Sequence, residues 1–303
     1  KPTQKEAMQT MAKELDKVQT KNMSMIFKVA ADEYIEAKRN VLSPTTIRGY
    51  KCAMKAISES FQSANINDIT AMDIQKEINR LTKELSPKTV RNYHGFISAV
   101  LGTFYPNLKV YTTLPQKSKN EPYIPSDEDI RRILEYAKGS QFEIPIILAC
   151  YGLRRSEICA LTLDDIIGDT VKIKRAKVLN DKTEWVSKTT KTTASTREII
   201  IPIEVAEQIR NQGYVYKGHP NSISIYLSKA EDRLNMPHFS LHKLRHYFAS
   251  KMSAMNIPDA DIMRMGGWET DHVMKSVYRH SMIDKEEQSK REAAEKLRNA
   301  LFS

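Results

Sequence analysis

Four prolines lie within the stretch PNLKVYTTLPQKSKNEPYIP, residues 106–125, and they exclude a continuous helix or central strand through this part of the chain. Because Lys117 and Lys119 lie between them, the stretch predicts an extended basic linker. A chain of 303 residues is long enough for a separate core on either side. We therefore expect an N-terminal helical segment, a helical domain, a linker, a second domain and a C-terminal tail helix, at 1–22, 23–112, 113–125, 126–283 and 284–303.

The N-terminal part contains an internal repeat, LSPTTIRGY at 42–50 and LSPKTVRNY at 85–93. In each copy a serine at the N-cap position and a proline at the first helical position predict the start of a helix. The copies then share Thr, Arg and Tyr, and such groups near a helix N-terminus are typical phosphate contacts. Two capped helices without DNA contact are the alternative. The predicted DNA-contact residues are Thr46, Arg48, Tyr50, Thr89, Arg91, Tyr93, Lys117 and Lys119.

Positive charge is concentrated in the same part of the chain. The formal net charge is +10, from 47 Lys and Arg residues against 37 Asp and Glu residues. Residues 1–120 hold 19 basic and 11 acidic residues, a net charge of +8, so residues 121–303 contribute only +2. We expect the N-terminal part to provide much of the nonspecific affinity for nucleic acid, with an inert basic surface as the alternative.

The sequence also indicates where the protein works. No apolar run is long enough to cross a membrane, and the three cysteines lack CxxC spacing, so they are expected to be reduced thiols of a cytosolic protein. The chain begins with Lys1 and shows no signal peptide, so we expect it to be part of a longer protein.

The second part of the chain mixes helix and strand patterns. An acidic helix start follows Ser126, and an apolar segment ends in a break at Gly152. Alternation at Val171–Ile173 and at Arg197–Ile201 predicts two strands of a small sheet, with the polar stretch KTTKTTAST in the turn region between them. Helical patterns return after Pro202. The predicted fold is therefore mainly α with a small β-sheet, a helical domain joined to a mixed α/β domain.

The stretch SLHKLRHYFASKM, residues 240–252, concentrates two histidines and an arginine at a helix start. Ser240 is the predicted N-cap, and His242 and Arg245 share one face near the helix N-terminus, where backbone N–H groups favour an anion. This arrangement suits a phosphate, and a core histidine beside a surface arginine is the alternative. Zinc is disfavoured because His242 and His246 lack the glutamate of the helical metalloprotease motif.

Three further segments carry related chemistry. Arg154 follows a glycine break in GLRRSEICAL and precedes a helix. Lys191 lies in the polar turn region. In GGWETDHVMKSVYRH, Trp268 follows two glycines that end a helix, and Tyr278 lies ten residues further on.

In this order the motifs resemble those of the tyrosine recombinases of the phage integrase family, and the resemblance covers Ser126 to about Ile283. The family pattern is an arginine in G-L-R-x-S-E, a lysine in a β-hairpin, H-x-L-R-H, a histidine or tryptophan after a glycine, and a tyrosine. Trp268 stands where histidine is more common. Lys191 is chosen because KTTASTR resembles K-T-x-x-S-x-R, with Lys188 as the alternative. The catalytic residues that the resemblance implies are Arg154, Lys191, His242, Arg245, Trp268 and Tyr278.

The resemblance implies a site-specific DNA recombinase of the bacterial cytoplasm, whose core-binding and catalytic domains clamp duplex DNA. Such an enzyme integrates and excises a mobile element, as integrases of phages and conjugative transposons do. Tyr278 would form a 3′-phosphotyrosyl intermediate, Arg154 and Arg245 would bind the phosphate, His242 would assist Tyr278, and Lys191 would protonate the 5′-oxygen. The expected partners are double-stranded DNA, further copies in a synaptic tetramer, and accessory DNA-bending or directionality proteins.

The residues themselves suggest no cofactor, because the sequence shows neither a carboxylate cluster for a metal nor a P-loop for ATP. Two other functions remain open at this point. A type IB topoisomerase uses a similar residue set and rejoins the same strand, and a DNA-binding regulator with a degenerate site would never cut. Intact Arg154, Arg245 and Tyr278 favour a cutting enzyme over a regulator.

The tail DKEEQSKREAAEKLRNALFS, residues 284–303, places acidic residues four positions before basic ones, which supports a helix. An apolar patch at its end consists of Ala293, Ala294, Leu297, Leu301 and Phe302. A short helix of this kind is marginal alone and needs a groove. Docking on its own domain is one alternative, and docking on a neighbouring protomer, which the resemblance suggests, is our hypothesis.

Overall fold

The computed structural model describes residues 25–116, 123–189 and 196–270, with Lys275, Lys290, Arg291, Ala294, Arg298, Asn299 and Leu301 beyond them. The chain divides into two units. The first comprises residues 1–120 together with Leu179–Trp185, and the second comprises Glu121–Val178 and Val186–Ser303. Predicted sites at Lys117, Lys119, Lys191 and Tyr278, and most of the tail, lie outside the described residues.

Helices form the first unit around one apolar core. They are α1 (Phe27–Lys38), α2 (Pro44–Ala56), α3 (Glu59–Gln62), α4 (Ala71–Thr82) and α5 (Pro87–Phe104). The two repeated sequences begin α2 and α5 as predicted, because Ser43 and Ser86 are the N-caps and a proline follows each. Each serine Oγ accepts a hydrogen bond from a backbone N–H three residues on, that of Thr46 or Thr89.

The second unit begins with three helices, α6 (Asp127–Ala137), α7 (Glu143–Cys150) and α8 (Arg155–Ile158). The acidic start of α6 forms a capping box in which Ser126 and Asp129 satisfy each other's backbone N–H groups. Four more helices follow the sheet region, α9 (Ile203–Gln212), α10 (Pro220–Arg233), α11 (His242–Ala254) and α12 (Asp259–Gly266). Helix α11 packs against α7 and α12, which brings the glycine break after α7 beside the histidine-rich stretch.

A three-stranded antiparallel sheet lies in the second unit, with strand order β1, β2, β5. Its strands are β1 (Ile166–Ile167), β2 (Thr170–Ile173) and β5 (Arg197–Ile200), and Val171 pairs with Ile199. The two predicted strands are therefore confirmed, and they pair directly. Alternation along β5 buries Arg197 and Ile199 and exposes Glu198 and Ile200.

A two-stranded sheet between β2 and β5 was not predicted from the sequence. It consists of β3 (Arg175–Leu179) and β4 (Trp185–Thr189). The placement of all of KTTKTTAST in the turn region was wrong, since Lys188 and Thr189 end β4. Every residue of β3 is half-buried, so this strand lacks the alternation of buried and exposed positions on which the strand prediction depended.

Candidate active site

The first site residue, Arg154, is placed by a sharp turn after α7. Gly152 has φ +86°, a conformation that favours glycine, and a Cβ there would lie 2.8 Å from the ring of Phe248. Arg154 precedes α8, as the sequence predicted, and stands at its N-cap position. Its Nη2 donates to the carbonyl of Gly267 at 3.0 Å, which joins this turn to the end of α12.

Glu157 is the buried carboxylate of the site, only 2% exposed. Its oxygens accept from the backbone N–H of Arg154 at 2.8 Å and from Arg154 Nη1 at 2.6 Å. They also accept from Arg197 Nη1 at 3.1 Å and Nη2 at 2.9 Å. Burial acts to raise the pKa of Glu157, but hydrogen bonds from Arg197 and the charges of both arginines outweigh it and hold the pKa below its usual range. Glu157 therefore stays ionised and orients Arg154.

Helix α11 supplies His242 and Arg245. The helix begins at His242 after the N-cap Leu241, so the prediction that Ser240 caps it was wrong: Ser240 uses its backbone carbonyl, which accepts from Lys243 N at 2.7 Å. His242 is exposed in the first turn, whereas Arg245 is only 1% exposed. The alternative of a core histidine beside a surface arginine is therefore wrong, because the histidine is exposed and the arginine is in the core.

Arg245 is buried without an acidic side chain of its own. Its Nη1 donates to the carbonyls of Gly152 and Gly266, and its Nε and Nη2 have no hydrogen-bond partner among the described residues. Burial, and then the charges of Arg154 and Arg197, lower the pKa of Arg245. A buried guanidinium with two unused donors is costly in the free protein, which indicates that an anion completes the site.

Trp268 packs directly on this guanidinium, whose carbon lies 3.8 Å from the centre of the indole ring. The indole is 7% exposed. Gly266 makes the packing possible, because a Cβ at that position would lie 1.7 Å from the Trp268 ring. In this structure Trp268 therefore holds Arg245 in place.

His242 faces the same cluster as a neutral base. Desolvation by the surrounding protein, followed by the positive charges of Arg245 and Arg154, lowers the pKa of His242, so its imidazole is neutral at pH 7. The ring of His246 lies 5.1 Å from it, and burial and the charge of Lys243 lower the pKa of His246 to about 4. Lys243 Nζ lies 3.3 Å from His246 Nδ1.

The structure thus brings four of the predicted catalytic residues together, Arg154, His242, Arg245 and Trp268. Lys191 and Tyr278 lie outside the described residues, so their positions stay predictions. Glu157 orients Arg154 through these contacts, and Arg197 is a site residue that was not predicted from the sequence. A signal was present, since Arg197 alternates with Ile199 and Ile201 and is the last residue of the match to K-T-x-x-S-x-R.

Some of the predicted DNA-contact residues line a groove of the first unit, and others do not. Within the first unit, α2 and α5 border a groove of about 430 Å³. Thr46, Tyr50, Arg91 and Tyr93 line this groove. Arg48 and Thr89 do not line it, and the Thr46 and Thr89 hydroxyls contact the capping serines at 2.8 and 2.9 Å. Arg91 Nε donates to the carbonyl of Pro115 at 3.0 Å.

Tyr50 also has a role in packing, because its ring stacks on Phe96 with 4.6 Å between centres. Burial, together with the adjoining Tyr34, raises the pKa of Tyr50, so its hydroxyl stays protonated at pH 7.

Two absences concern the described residues alone. None of the helices in the described ranges is long and apolar enough to span a bilayer. In the same part of the chain, no three His, Cys, Asp or Glu side chains are grouped as metal ligands would be.

Buried guanidinium donors beside an imidazole suit an anionic group such as a phosphate. Comparison with known proteins gives the family. A sequence profile of the phage integrase family matches residues 126–284, and that of the phage integrase N-terminal SAM-like domain matches residues 26–82. A tyrosine recombinase XerC-like protein of Caldanaerobacter subterraneus subsp. tengcongensis is 22% identical, over 71% of this chain and 68% of the relative.

Solved structures show the same fold. The Tn1549 transposon integrase in complex with transposon right end DNA has a TM-score of 0.72 and 17% identity, over 89% of this chain and 100% of that one. A lambda integrase dimer bound to a COC′ core site has a TM-score of 0.64 and 16% identity, over 84% of this chain and 95% of that one.

The chain belongs to the phage integrase family. The predictions of a tyrosine-recombinase fold and of a site-specific DNA recombinase are confirmed by this membership. Its substrate is therefore DNA.

Proposed function

We propose that this recombinase cleaves one DNA strand by attack of the Tyr278 phenolic oxygen on a phosphorus atom held by Arg154 and Arg245. The new O–P bond forms as the bond from phosphorus to the 5′-oxygen breaks, which leaves a 3′-phosphotyrosyl linkage and a free 5′-hydroxyl. The observation that carries the proposal is Arg245, whose Nε and Nη2 lack acceptors among the described residues. These donors suit the nonbridging oxygens, whose charge grows in the transition state.

Proton transfer is assigned to His242 and Lys191. A tyrosine hydroxyl has a pKa of about 10, so Tyr278 needs a base, and the lowered pKa of His242 keeps its ring free to accept the proton. Lys191, or Lys188 at the end of β4, donates a proton to the departing 5′-oxygen. Trp268 has only an N–H donor, so it takes no part in proton transfer and supports Arg245.

The reverse reaction on a partner strand completes the exchange. The free 5′-hydroxyl of one strand attacks the phosphotyrosyl linkage of another, so the bond energy is conserved and no cofactor is consumed. We propose that a tetramer performs two such exchanges to integrate and excise a mobile element, with accessory DNA-bending or directionality proteins. The likeness to the Tn1549 and lambda integrases supports this assignment. The proposal includes a core-binding domain at 23–112 and a catalytic domain at 126–283.

A nicked suicide substrate tests this function against its two alternatives. Cleavage near the nick releases a short fragment that diffuses away, so the covalent adduct accumulates and is counted on a denaturing gel. No adduct on any cognate site would favour the regulator. An adduct that never joins to a second duplex would favour a topoisomerase, and joining to a second duplex supports recombination.

The groove between α2 and α5 is the proposed track for the DNA backbone in the first unit. Thr46, Tyr50, Arg91 and Tyr93 line it, and the two helix glycines Gly49 and Gly95 leave open space where a side chain would stand. A groove that combines a cation, hydroxyls and an accessible backbone can admit a phosphate closely.

Replacing Arg91 or Arg48 with Ala is expected to weaken binding to all DNA sequences and to flatten the slope of log K against log salt by about one unit each, because each lost phosphate contact releases about 0.9 counterion fewer. Fluorescence anisotropy across a salt series measures the slope. Lys83→Ala, an exposed cation at the end of α4, is the matched control and should leave the slope unchanged. Unchanged slopes in both arginine variants would show that Arg48 and Arg91 do not contact DNA phosphates.

We propose that the C-terminal tail docks on a neighbouring protomer. Leu301 is 65% exposed in the single chain, as expected of a tail patch that needs a partner. An apolar groove of about 560 Å³ on the second unit offers an acceptor of suitable chemistry. Its lining includes Ile130, Ile199, Ile200, Phe248, Met252 and Met265.

Deleting residues 297–303 is expected to spare binding of one protomer to a half-site and to reduce synaptic assembly and recombination, because the link between protomers is lost. Ile200→Glu should reproduce this effect, since Ile200 is 70% exposed and lines the groove. Ile167→Glu, 58% exposed on the same sheet but outside the groove lining, is the control. Gel-shift titration and recombination yield measure both stages, and normal assembly by the truncated protein would refute the exchanged tail.

A further inference from the structure

Arg197 is a buried arginine that the mechanism above does not use. It begins β5 on the buried face of the strand and is 8% exposed. Burying a guanidinium at a position that an apolar residue could occupy is unfavourable unless every donor is paired. Apolar packing alone therefore does not account for an arginine at this position of the sheet.

The contacts of Arg197 reach three separate segments of the second unit. Its Nη1 and Nη2 make a bidentate pair with the two oxygens of Glu157, at 3.1 and 2.9 Å. Its Nε donates to the carbonyl of Met265 at 2.7 Å, and Nη2 lies 3.5 Å from the carbonyl of Gly152. These partners are 40, 68 and 45 residues away along the chain.

Each of these partners binds, or directly precedes a residue that binds, one of the two arginines that hold the phosphate in the proposed mechanism. Glu157 also binds Arg154, and the Gly152 carbonyl also accepts from Arg245. Met265 directly precedes Gly266, the second carbonyl that accepts from Arg245. The Arg197 guanidinium thus connects the turn that carries Arg154, the two backbone carbonyls that accept from Arg245, and the end of α12.

The charges indicate why an arginine is needed here. Glu157 could engage the whole guanidinium of Arg154 if nothing else occupied its oxygens, and Arg154 would then be withdrawn from the substrate. Because Arg197 takes one position on each oxygen, Glu157 binds the Arg154 side chain through a single nitrogen, Nη1.

We propose that Arg197 is a positioning residue that sets the separation and orientation of Arg154 and Arg245 without touching DNA itself. The inference rests on the proposed function, since it assumes that those two arginines bind the scissile phosphate. It also assigns a second task to the segment KTTASTR, which supplies the candidate lysine Lys191 and, six residues later, the support for both arginines.

The test compares Arg197→Met and Arg197→Lys in single-turnover cleavage of a nicked substrate at saturating DNA. We expect Arg197→Met to cleave about 10- to 100-fold more slowly, with DNA affinity within about twofold of the parent, because the arginines still bind DNA but are misplaced for the transition state. Arg197→Lys should recover part of the rate, since an ammonium can pair with Glu157 but cannot bridge all three segments.

A second substrate separates positioning from a general folding defect. A methylphosphonate at the scissile position removes one charged nonbridging oxygen, so correct placement of the two arginines matters less. The defect of Arg197→Met should shrink to within about threefold on this substrate, whereas damage to the fold would slow both substrates equally. Equal defects on both substrates, or full activity of Arg197→Met on the phosphate, would overturn the proposal.

A second pair of variants controls for loss of an arginine that is paired with a buried carboxylate. Arg175 donates to the buried carboxylate of Asp165 at 2.6 Å in the same unit, so Arg175→Met and Arg175→Lys should leave the cleavage rate within about threefold on both substrates. If Arg197→Met does not fold, as judged by its thermal unfolding midpoint, the comparison of Arg197→Lys on the two substrates decides the question. Absence of cleavage by the parent protein would instead refute the proposed function.

Discussion

Tyr278→Phe is expected to abolish the covalent protein–DNA adduct while leaving DNA affinity within about twofold of the parent. The substitution removes one oxygen atom and keeps the ring, so contacts that position the segment are retained but no nucleophile remains. A denaturing gel with a nicked substrate counts only covalent protein–DNA adduct. Attack by water on the same phosphodiester would give no adduct, so the assay reports attack by the Tyr278 oxygen and not hydrolysis. The expected loss is complete within the detection limit, typically more than about 10³-fold.

Tyr247→Phe is the matched control for this experiment. The Tyr247 hydroxyl donates to Asp127 at 2.8 Å, and burial and that hydrogen bond raise the pKa of Tyr247 far above its usual value, so it is a poor nucleophile at neutral pH. The control variant should form adduct at the parent rate. A normal adduct yield from Tyr278→Phe would move the nucleophile to another of the 13 tyrosines, and peptide mapping of the adduct would then locate it.

Local sequence signals were sufficient for most of the fold. The Ser-Pro starts of α2 and α5 depend only on a side chain and the backbone within one turn, so they are visible in a few residues. The strands β2 and β5 were visible because one face of each is buried. Ser240 failed as an N-cap because the backbone already turns in the helical region at Leu241, and the first turn of α11 has no side-chain cap that the sequence could show.

The site was predictable where its chemistry is concentrated in short motifs. His242 and Arg245 lie three residues apart, and Arg154 lies two residues after Gly152, where a break was predicted and where the structure shows a φ of +86°. The roles of the supporting residues were not predictable in the same way. Arg197 contacts groups 40 to 68 residues away, and only the folded chain shows that these groups bind, or lie next to a group that binds, Arg154 or Arg245.

Arg245→Lys is the second prediction with a large expected effect. In the folded protein Nη1 is occupied by the carbonyls of Gly152 and Gly266, and Nε and Nη2 have no acceptor among the described residues. A lysine ammonium can satisfy those carbonyls but then offers no planar pair of donors to the phosphate. We expect cleavage at saturating DNA to fall about 10²- to 10³-fold, as when one donor to a developing oxyanion is removed.

Stability measurements distinguish this loss from damage to the fold. The buried guanidinium lacks an acidic partner of its own, so it stabilises the free protein little, and Arg245→Lys should shift the thermal unfolding midpoint by only a few degrees. Arg132→Lys is the conservative control, because Arg132 donates to the backbone carbonyl of Leu234 and has no contact with the site. Parent-like cleavage by Arg245→Lys would mean that its free donors do not bind the scissile phosphate, and the phosphate site would then have to be rebuilt around Arg154.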